Sequence, residues 1–391
     1  MHRIPALLLI LILPQEGLGD LDSPDPAAAR KAFEAAIRGG DEKALEEGGK
    51  TSERARLALA EVRAHKKFAD AYPEARICSL DFRDKPFGEA LSELSRILGV
   101  RIEKAHDPHN PFKIAERVTC SFRDCYLLEA LHRFSEASKM KFRYDGGVFR
   151  YYAGPDYAIK RSYWRHFALS VNNLSEVEMV ASTGERTRTV NLSISILTDG
   201  ATRIAGSKGT RFTQILEKPD RSLLPKTVDR TAYFGFWYSQ GHIFTGGEIG
   251  APSTTAEELS IVSGTVDLLL PEGPRFQDLP LVGDIREVKL ENLVLRAERS
   301  APDGSEIKVT GRVADLKKPH LWPIPADFQL REKDGRLLEA SGTVSGAPDA
   351  PSLILRFNIP AGFKPSVLRV RGYESFGALE VPFEFREVRI R

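Results

Sequence analysis

Hydrophobic and polar positions change their period along this chain, and each change marks a different kind of structure. Residues 4–13 are nearly all Leu, Ile and Ala. Over residues 23–72 the apolar positions Leu57, Leu59, Val62, Phe68 and Tyr72 form only a ragged helical stripe, which predicts helices with marginal packing. Ser23 and Asp25, each before a proline, both offer a cap for a first helix that Gly39-Gly40 ends. Asp41 offers the next cap, and a third helix is expected over about 52–72. From 75 to 153 strand and helix periods alternate. Leu80 and Phe82 share one face of a strand, and Phe87, Ala90, Leu91, Leu94, Ile97 and Leu98 then fall at helical spacing before Gly99. Val100 and Ile102 begin another strand. Cys120 and Phe122 repeat the first pattern, followed by Leu127, Ala130, Leu131, Phe134 and Ala137. Asp145-Gly146-Gly147 then turns a hairpin between Met140-Phe142-Tyr144 and the run from Val148 to Tyr152.

The second half of that zone copies the first at an offset of 40 residues without a gap. Phe82-Arg83-Asp84 returns as Phe122-Arg123-Asp124, Glu89-Ala90-Leu91 as Glu129-Ala130-Leu131, and Ser95 as Ser135. These are seven identities, where chance gives roughly one or two. Asp84 and Asp124 stand where a carboxylate caps a helix, so they are expected to be N-caps and not catalytic acids. The unit reads as β-α-β twice over.

Strand, F-R-D-x-P-x-x-E-A-L helix, G-V-x-I strand, then V-T-x-S-F-R-D, helix and hairpin resemble the secretin and TonB short N-terminal (STN) domain family over about a fifth of the chain. The resemblance implies a periplasmic interaction module, one that stacks in rings or docks another protein's periplasmic segment, and it implies no catalytic residues. The chain departs from those proteins in lacking the alternating strands of about ten residues that build an outer-membrane barrel. Secretin or receptor function is therefore not carried over.

After Tyr163 short alternating segments are divided by Gly, Pro and Asp, the pattern of β-sandwiches. Val190, Leu192, Ile194 and Ile196 alternate cleanly, Pro271 is expected to stop a strand, and the junction between two sandwiches falls near 276–283. Lys333-Asp334-Gly335-Arg336 reads as a hairpin in the second. Both stretches are broadly immunoglobulin-like, an analogy of architecture that carries no function. The expected fold is α+β and multidomain: a leader at 1–19, a helical segment at 20–73, the repeated β-α-β module at 74–154, and antiparallel β-sandwich domains at 163–276 and 280–391.

Arg3 ahead of the 4–13 run, Pro14 after it, and the small residues Gly17 and Gly19 together read as a signal peptide cut before Asp20. The run is too short for a spanning helix. No cysteine lies near the cut, which excludes a lipoprotein anchor, and no later segment reads as membrane-spanning. The balance of 56 basic to 54 acidic residues leaves +2, so nucleic acid is not an expected partner. Three cysteines, Cys78, Cys120 and Cys125, are too few for a disulfide scaffold and lack zinc spacing. Cys78 and Cys120 sit in the first strands of the two copies. A bridge between them is open, with two buried free thiols the favoured reading.

No catalytic signature is complete. Gly48-Gly49-Lys50-Thr51 resembles the tail of a phosphate loop, but Ala44 stands where its first glycine belongs. His106-Asp107-Pro108-His109 reads as a solvated loop before it reads as a metal site. No cofactor is expected. In the run 233–238, Tyr233 and Trp237 share one strand face and Phe234, Phe236 and Tyr238 the other, so Tyr233 and Trp237 are candidates to stack on a sugar ring if that face is open. The favoured reading is a non-enzymatic envelope protein that binds other proteins through the STN-like module. Its candidate partner-binding edge is Met140, Phe142, Tyr144, Val148, Tyr151 and Tyr152; glycan binding through Tyr233 and Trp237 is the alternative, and an enzyme a distant third. Protein recovered from its native cell is expected to begin at Asp20, which an intact mass checks; a chain still starting at Met1 would overturn the leader.

Overall fold

The computed structural model describes residues 18–105, 112–145, 148–154, 160–180, 186–217, 221–224, 233–234, 242–253, 256–281, 286–301, 305–315, 318, 323–324, 327–347 and 350–389. The chain is mostly β and divides into two compact units, separated in sequence between Lys66 and Lys67. In the first, a 3-10 turn (Leu18–Asp22) precedes helices α1 (Pro26–Gly39), α2 (Glu42–Gly48) and α3 (Glu53–Lys67). Asp25 accepts the Ala27 amide, Asp41 that of Ala44 and Ser52 that of Ala55, so each helix has its side-chain cap. Gly40, with φ of 63°, closes α1. Although the apolar stripe of α3 is ragged, Ala55 and Ala58 are buried, as are Leu21, Phe33, Ile37 and Leu45. Small alanines let helices approach closely where large side chains are few.

The second unit opens with the repeat: β1 (Ile77–Pro86), α4 (Phe87–Leu98), β2 (Ile102–Lys104), β3 (Arg117–Tyr126), α5 (Leu127–Ser138), β4 (Met140–Asp145) and β5 (Val148–Ala153). β1 and β3 form an antiparallel pair, and a second sheet runs β2-β5-β4 with β2 and β5 parallel. The two copies are related by a local pseudo-dyad. Asp81 pairs with Ser121, its own repeat mate. Leu80↔Phe122 maps onto Phe82↔Cys120, Cys78↔Cys125 onto Lys85↔Val118, and Ile77↔Tyr126 onto Pro86↔Arg117.

That ladder corrects the capping assignment of Asp84 and Asp124. The helices begin at Phe87 and Leu127, two residues too late, and their N-cap residues Pro86 and Tyr126 make no side-chain cap bond. Each aspartate instead lies in a β-bulge. Arg83 and Asp84 together face Thr119, and Arg123 and Asp124 face Ser79, with φ of 48° at both aspartates. Aspartate tolerates this left-handed conformation better than most residues. The Asp84 amide donates to Thr119 Oγ1 at 2.9 Å and the Asp124 amide to Ser79 Oγ at 2.8 Å, so each copy secures the bulge of the other.

The chain continues as β6 (Arg161–Trp164), β7 (Phe167–Val180), β8 (Arg186–Thr198), β9 (Gly206–Glu217), β10 (Arg221–Ser222), β11 (Tyr233–Phe234), β12 (His242–Ile249) and β13 (Glu258–Pro280). It ends with β14 (Arg286–Leu290), β15 (Leu293–Arg299), β16 (Glu306–Val313), β17 (Phe328–Arg331), β18 (Leu337–Glu339), β19 (Ser341–Ala347), β20 (Ala350–Arg356) and β21 (Val367–Arg389). One sheet runs β12-β8-β7-β6, a second β14-β15-β16-β20-β19, and a third β10-β9-β13-β21-β17-β18 with β11 also on β9. Val190, Leu192, Ile194 and Ile196 are all buried, as their alternation predicts. Leu279, Phe328, Leu330, Leu368 and Val370 of the third sheet share one core with Leu293, Leu295, Ile307, Val309, Leu353 and Leu355 of the second.

Pro271 does not stop a strand: β13 runs through it to Pro280. β13 and β21 pair without a register shift from Glu258↔Arg389 to Pro280↔Val367. The reason lies in which side Pro271 turns to its neighbours. The Leu269 carbonyl accepts the Ala205 amide on the β9 side, so the nitrogen of Pro271, two residues on, points the same way. Pairing with β9 ends at Leu269↔Gly206, so the donor that proline lacks is not needed there.

Ser79→Ala and Thr119→Val are each expected to destabilise the chain by about 0.5 to 1.5 kcal/mol, the usual net worth of a hydrogen bond, with the bulge amide left unpaired. Asp84→Gly and Asp124→Gly are expected within about 0.5 kcal/mol of the parent, since glycine adopts positive φ freely. Calorimetry on the full chain measures both. Neutral Ser79 and Thr119 variants would show that these hydroxyls do not secure the bulges.

Candidate functional site

The hairpin of β4 and β5 places the six candidate edge residues unequally. β5 lies between β2 and β4, so Val148, Tyr151 and Tyr152 are on an inner strand, and Met140, Phe142 and Tyr144 are on the edge strand. Gly154 N–H donates to the Lys139 carbonyl at 3.1 Å, just beyond the pair Met140↔Ala153. By the alternation of an antiparallel ladder, Lys141↔Tyr152 and Arg143↔Arg150 then exchange bonds inside the hairpin, and the backbone groups of Met140, Phe142 and Tyr144 turn away from β5. β5 uses its own outward groups on β2: Phe149 N–H donates to the Arg101 carbonyl at 2.9 Å, and the Tyr151 carbonyl accepts from Ala105 N–H at 3.0 Å. Among the described residues no strand pairs with the outer edge of β4.

The two faces of this hairpin differ in kind. Met140 and Phe149 belong to the module's core, and Phe142, Tyr144 and Tyr151 pack against it. Tyr151 meets Phe87 edge-on, and burial raises its phenol above the usual tyrosine range. Tyr163, Ala168 and Leu197, beyond the module, also belong to or pack on this core. By register the other face carries Lys141, Arg143, Asp145, Val148, Arg150 and Tyr152, with Arg101 and Glu103 of the β2 side forming an ion pair next to Arg150. Arg143 lies directly opposite Arg150. Like charges in cross-strand register destabilise a ladder.

The remaining candidates do not assemble. Tyr233 pairs with Ser207 as the first residue of β11, while Trp237 lies outside the described residues, as does the His106–His109 cluster. Among the described residues no group of three or more His, Cys, Asp or Glu side chains could hold a metal. Cys78, Cys120 and Cys125 carry free thiols, and Cys78 is opposite Cys125, not Cys120. Cys78 and Cys120 are four pairing positions apart along the ladder, roughly 13 Å, which a disulfide cannot span.

Two buried polar clusters escape sequence reasoning because their members are distant along the chain. His166 is fully buried, with Nδ1 2.6 Å from Asp199 Oδ2 and Nε2 2.6 Å from the Pro73 carbonyl. A His–Asp pair is two thirds of a hydrolase triad, but here the nitrogen that would serve a nucleophile is occupied by backbone. Both ring nitrogens face acceptors. Asp199 Oδ1 also accepts the Ala201 amide at 3.0 Å, and Tyr72 packs on the ring at 4.9 Å. The cluster pins residues 71–73 to the start of β7. In the other, Arg203 forks onto Asp327 at 2.6 and 2.7 Å and donates to the Tyr373 hydroxyl at 2.6 Å. The cavity beside it is about 20 Å³, room for about one water molecule and not for a substrate.

No known protein family, curated protein or solved structure matches the chain. Among the described residues no helix is long and apolar enough to cross a membrane.

His166→Ala and Asp199→Ala are each expected to destabilise the full chain by about 3 to 5 kcal/mol, because each leaves a buried charged or polar partner uncompensated. Guanidinium unfolding of the two single variants and the double variant measures this. Additive losses would show that the two side chains do not act as a pair.

Proposed function

We propose that the chain is an exported, non-enzymatic envelope protein whose repeated module, of the secretin and TonB short N-terminal kind, docks an extended segment of another protein on the outer edge of β4. The two β-sandwich, immunoglobulin-like domains hold the module in place. One observation carries the reading: an edge strand without a strand partner among the described residues lies beside a face that by register places four cations, Arg101, Lys141, Arg143 and Arg150, against two carboxylates, Glu103 and, at the turn end of β4, Asp145. An added strand gains main-chain hydrogen bonds, and side chains beside the edge select it. The cations favour an acidic segment, whose charge would relieve the repulsion between Arg143 and Arg150. β14, another edge strand, exposes Glu287 and Lys289 of opposite sign. The glycan alternative has no described side chain in its favour.

A photo-crosslinking residue at position 143 of the full chain, expressed in the native cell, is expected to give a discrete protein adduct, and one at exposed position 308 on β16 is not. Lys141→Glu combined with Arg143→Glu is expected to reduce the adduct from position 150 about tenfold or more. Adducts of equal yield from 143 and 308, or a yield the charge reversals leave unchanged, would sink the edge-docking reading.

A further inference from the structure

We propose that Cys78 and Cys125 form a disulfide when the chain folds in an oxidising compartment, joining the first strand of one repeat copy to the first strand of the other. The two residues are direct cross-strand partners. Opposed residues of an antiparallel pair share a face, with Cα atoms about 4.5 to 5.5 Å apart, inside the span of about 4.4 to 6.8 Å that a disulfide bridges. Both side chains lie in one core cluster, 6% and 2% exposed, and both carry free thiols. Cys120 faces Phe82 and is out of reach of either. The dyad-related position, Lys85 opposite Val118, has no thiols, so the bridge would close one end of the ladder alone.

Burial, then the charges of Cys125 and Glu129, push the Cys78 thiol up to about 12. A thiol held that high supplies almost no thiolate, so the reaction belongs to the folding chain, before the ladder shuts. The oxidant is the disulfide of a thiol–disulfide oxidoreductase. The thiolate of one cysteine attacks it, forming a mixed disulfide and releasing one donor thiolate; the second cysteine's thiolate then attacks the sulfur of the first and releases the other. Two protons leave the cysteines, two electrons pass to the donor, and the donor ends as a dithiol. The product encloses α4, β2 and most of β3 in one covalent loop, which constrains the unfolded chain.

The inference rests on the export reading for its compartment, and the experiment separates the two. The full chain is produced behind a foreign leader of known periplasmic destination, alkylated on harvest without reductant, and mapped by peptide mass. The expected result is a linked pair of peptides holding Cys78 and Cys125, lighter by two hydrogens, with Cys120 alkylated. Cys120→Ser is expected to keep the link, and reduction is expected to lower the Tm by roughly 5 °C. Three alkylated cysteines, or a link through Cys120, would overturn the pairing. A second arm uses the chain's own first residues. If the foreign leader yields the link and the native leader yields three free thiols, the pairing holds and the export reading falls.

Discussion

Most of the β structure hangs on a single pairing, the ladder of β13 with β21. It runs 23 residues on each strand without a register shift. β9 adds to one side of β13 over its first half, and β17 adds to one side of β21 over its first four residues, so each end of the ladder recruits a different strand. A slip of one residue would turn every inward side chain of both strands outward. Val262, Val266, Leu268 and Leu270 on β13, and Leu368, Val370, Val381, Phe383 and Phe385 on β21, would then lose their burial together. At its Glu258↔Arg389 end the ladder joins residues more than a hundred positions apart, a long-range contact of the kind that slows folding.

The same dependence explains what could be read in the sequence and what could not. Alternation in 190–196 and the helical faces of α4 and α5 are local signals, and all of them appear as buried faces. The repeat was legible because identities at fixed offset survive without any knowledge of pairing. Its symmetry was not: Phe-Arg-Asp before a helix has the appearance of a strand end and a cap, and only the partner strand reveals that Asp84 and Asp124 sit in bulges. Pro271 misled for a related reason. A proline breaks a strand where both sides need donors, and whether both sides do is set by where β9 ends.

Of the candidate site, the hairpin and its aromatic residues were legible, but which strand is outermost was not. Tyr151 and Tyr152 look like anchors beside an edge until β2 is known to cover β5. The ionic face was missed altogether, since Lys141, Arg143 and Arg150 are unremarkable in a chain of 56 basic residues until register puts Arg143 against Arg150.

Polar chemistry is spent differently inside and outside this fold. In the interior, His166 is held between Asp199 and Pro73, and Arg203 between Asp327 and Tyr373, and each cluster fastens a connector to a sheet. Outside, on β4 and β5, like charges meet: Arg143 and Arg150 face each other across a short hairpin that also bears Lys141, while Arg150 has Glu103 as its neighbour on the β2 side. The hairpin thus gives up some cross-strand stability next to its outer edge.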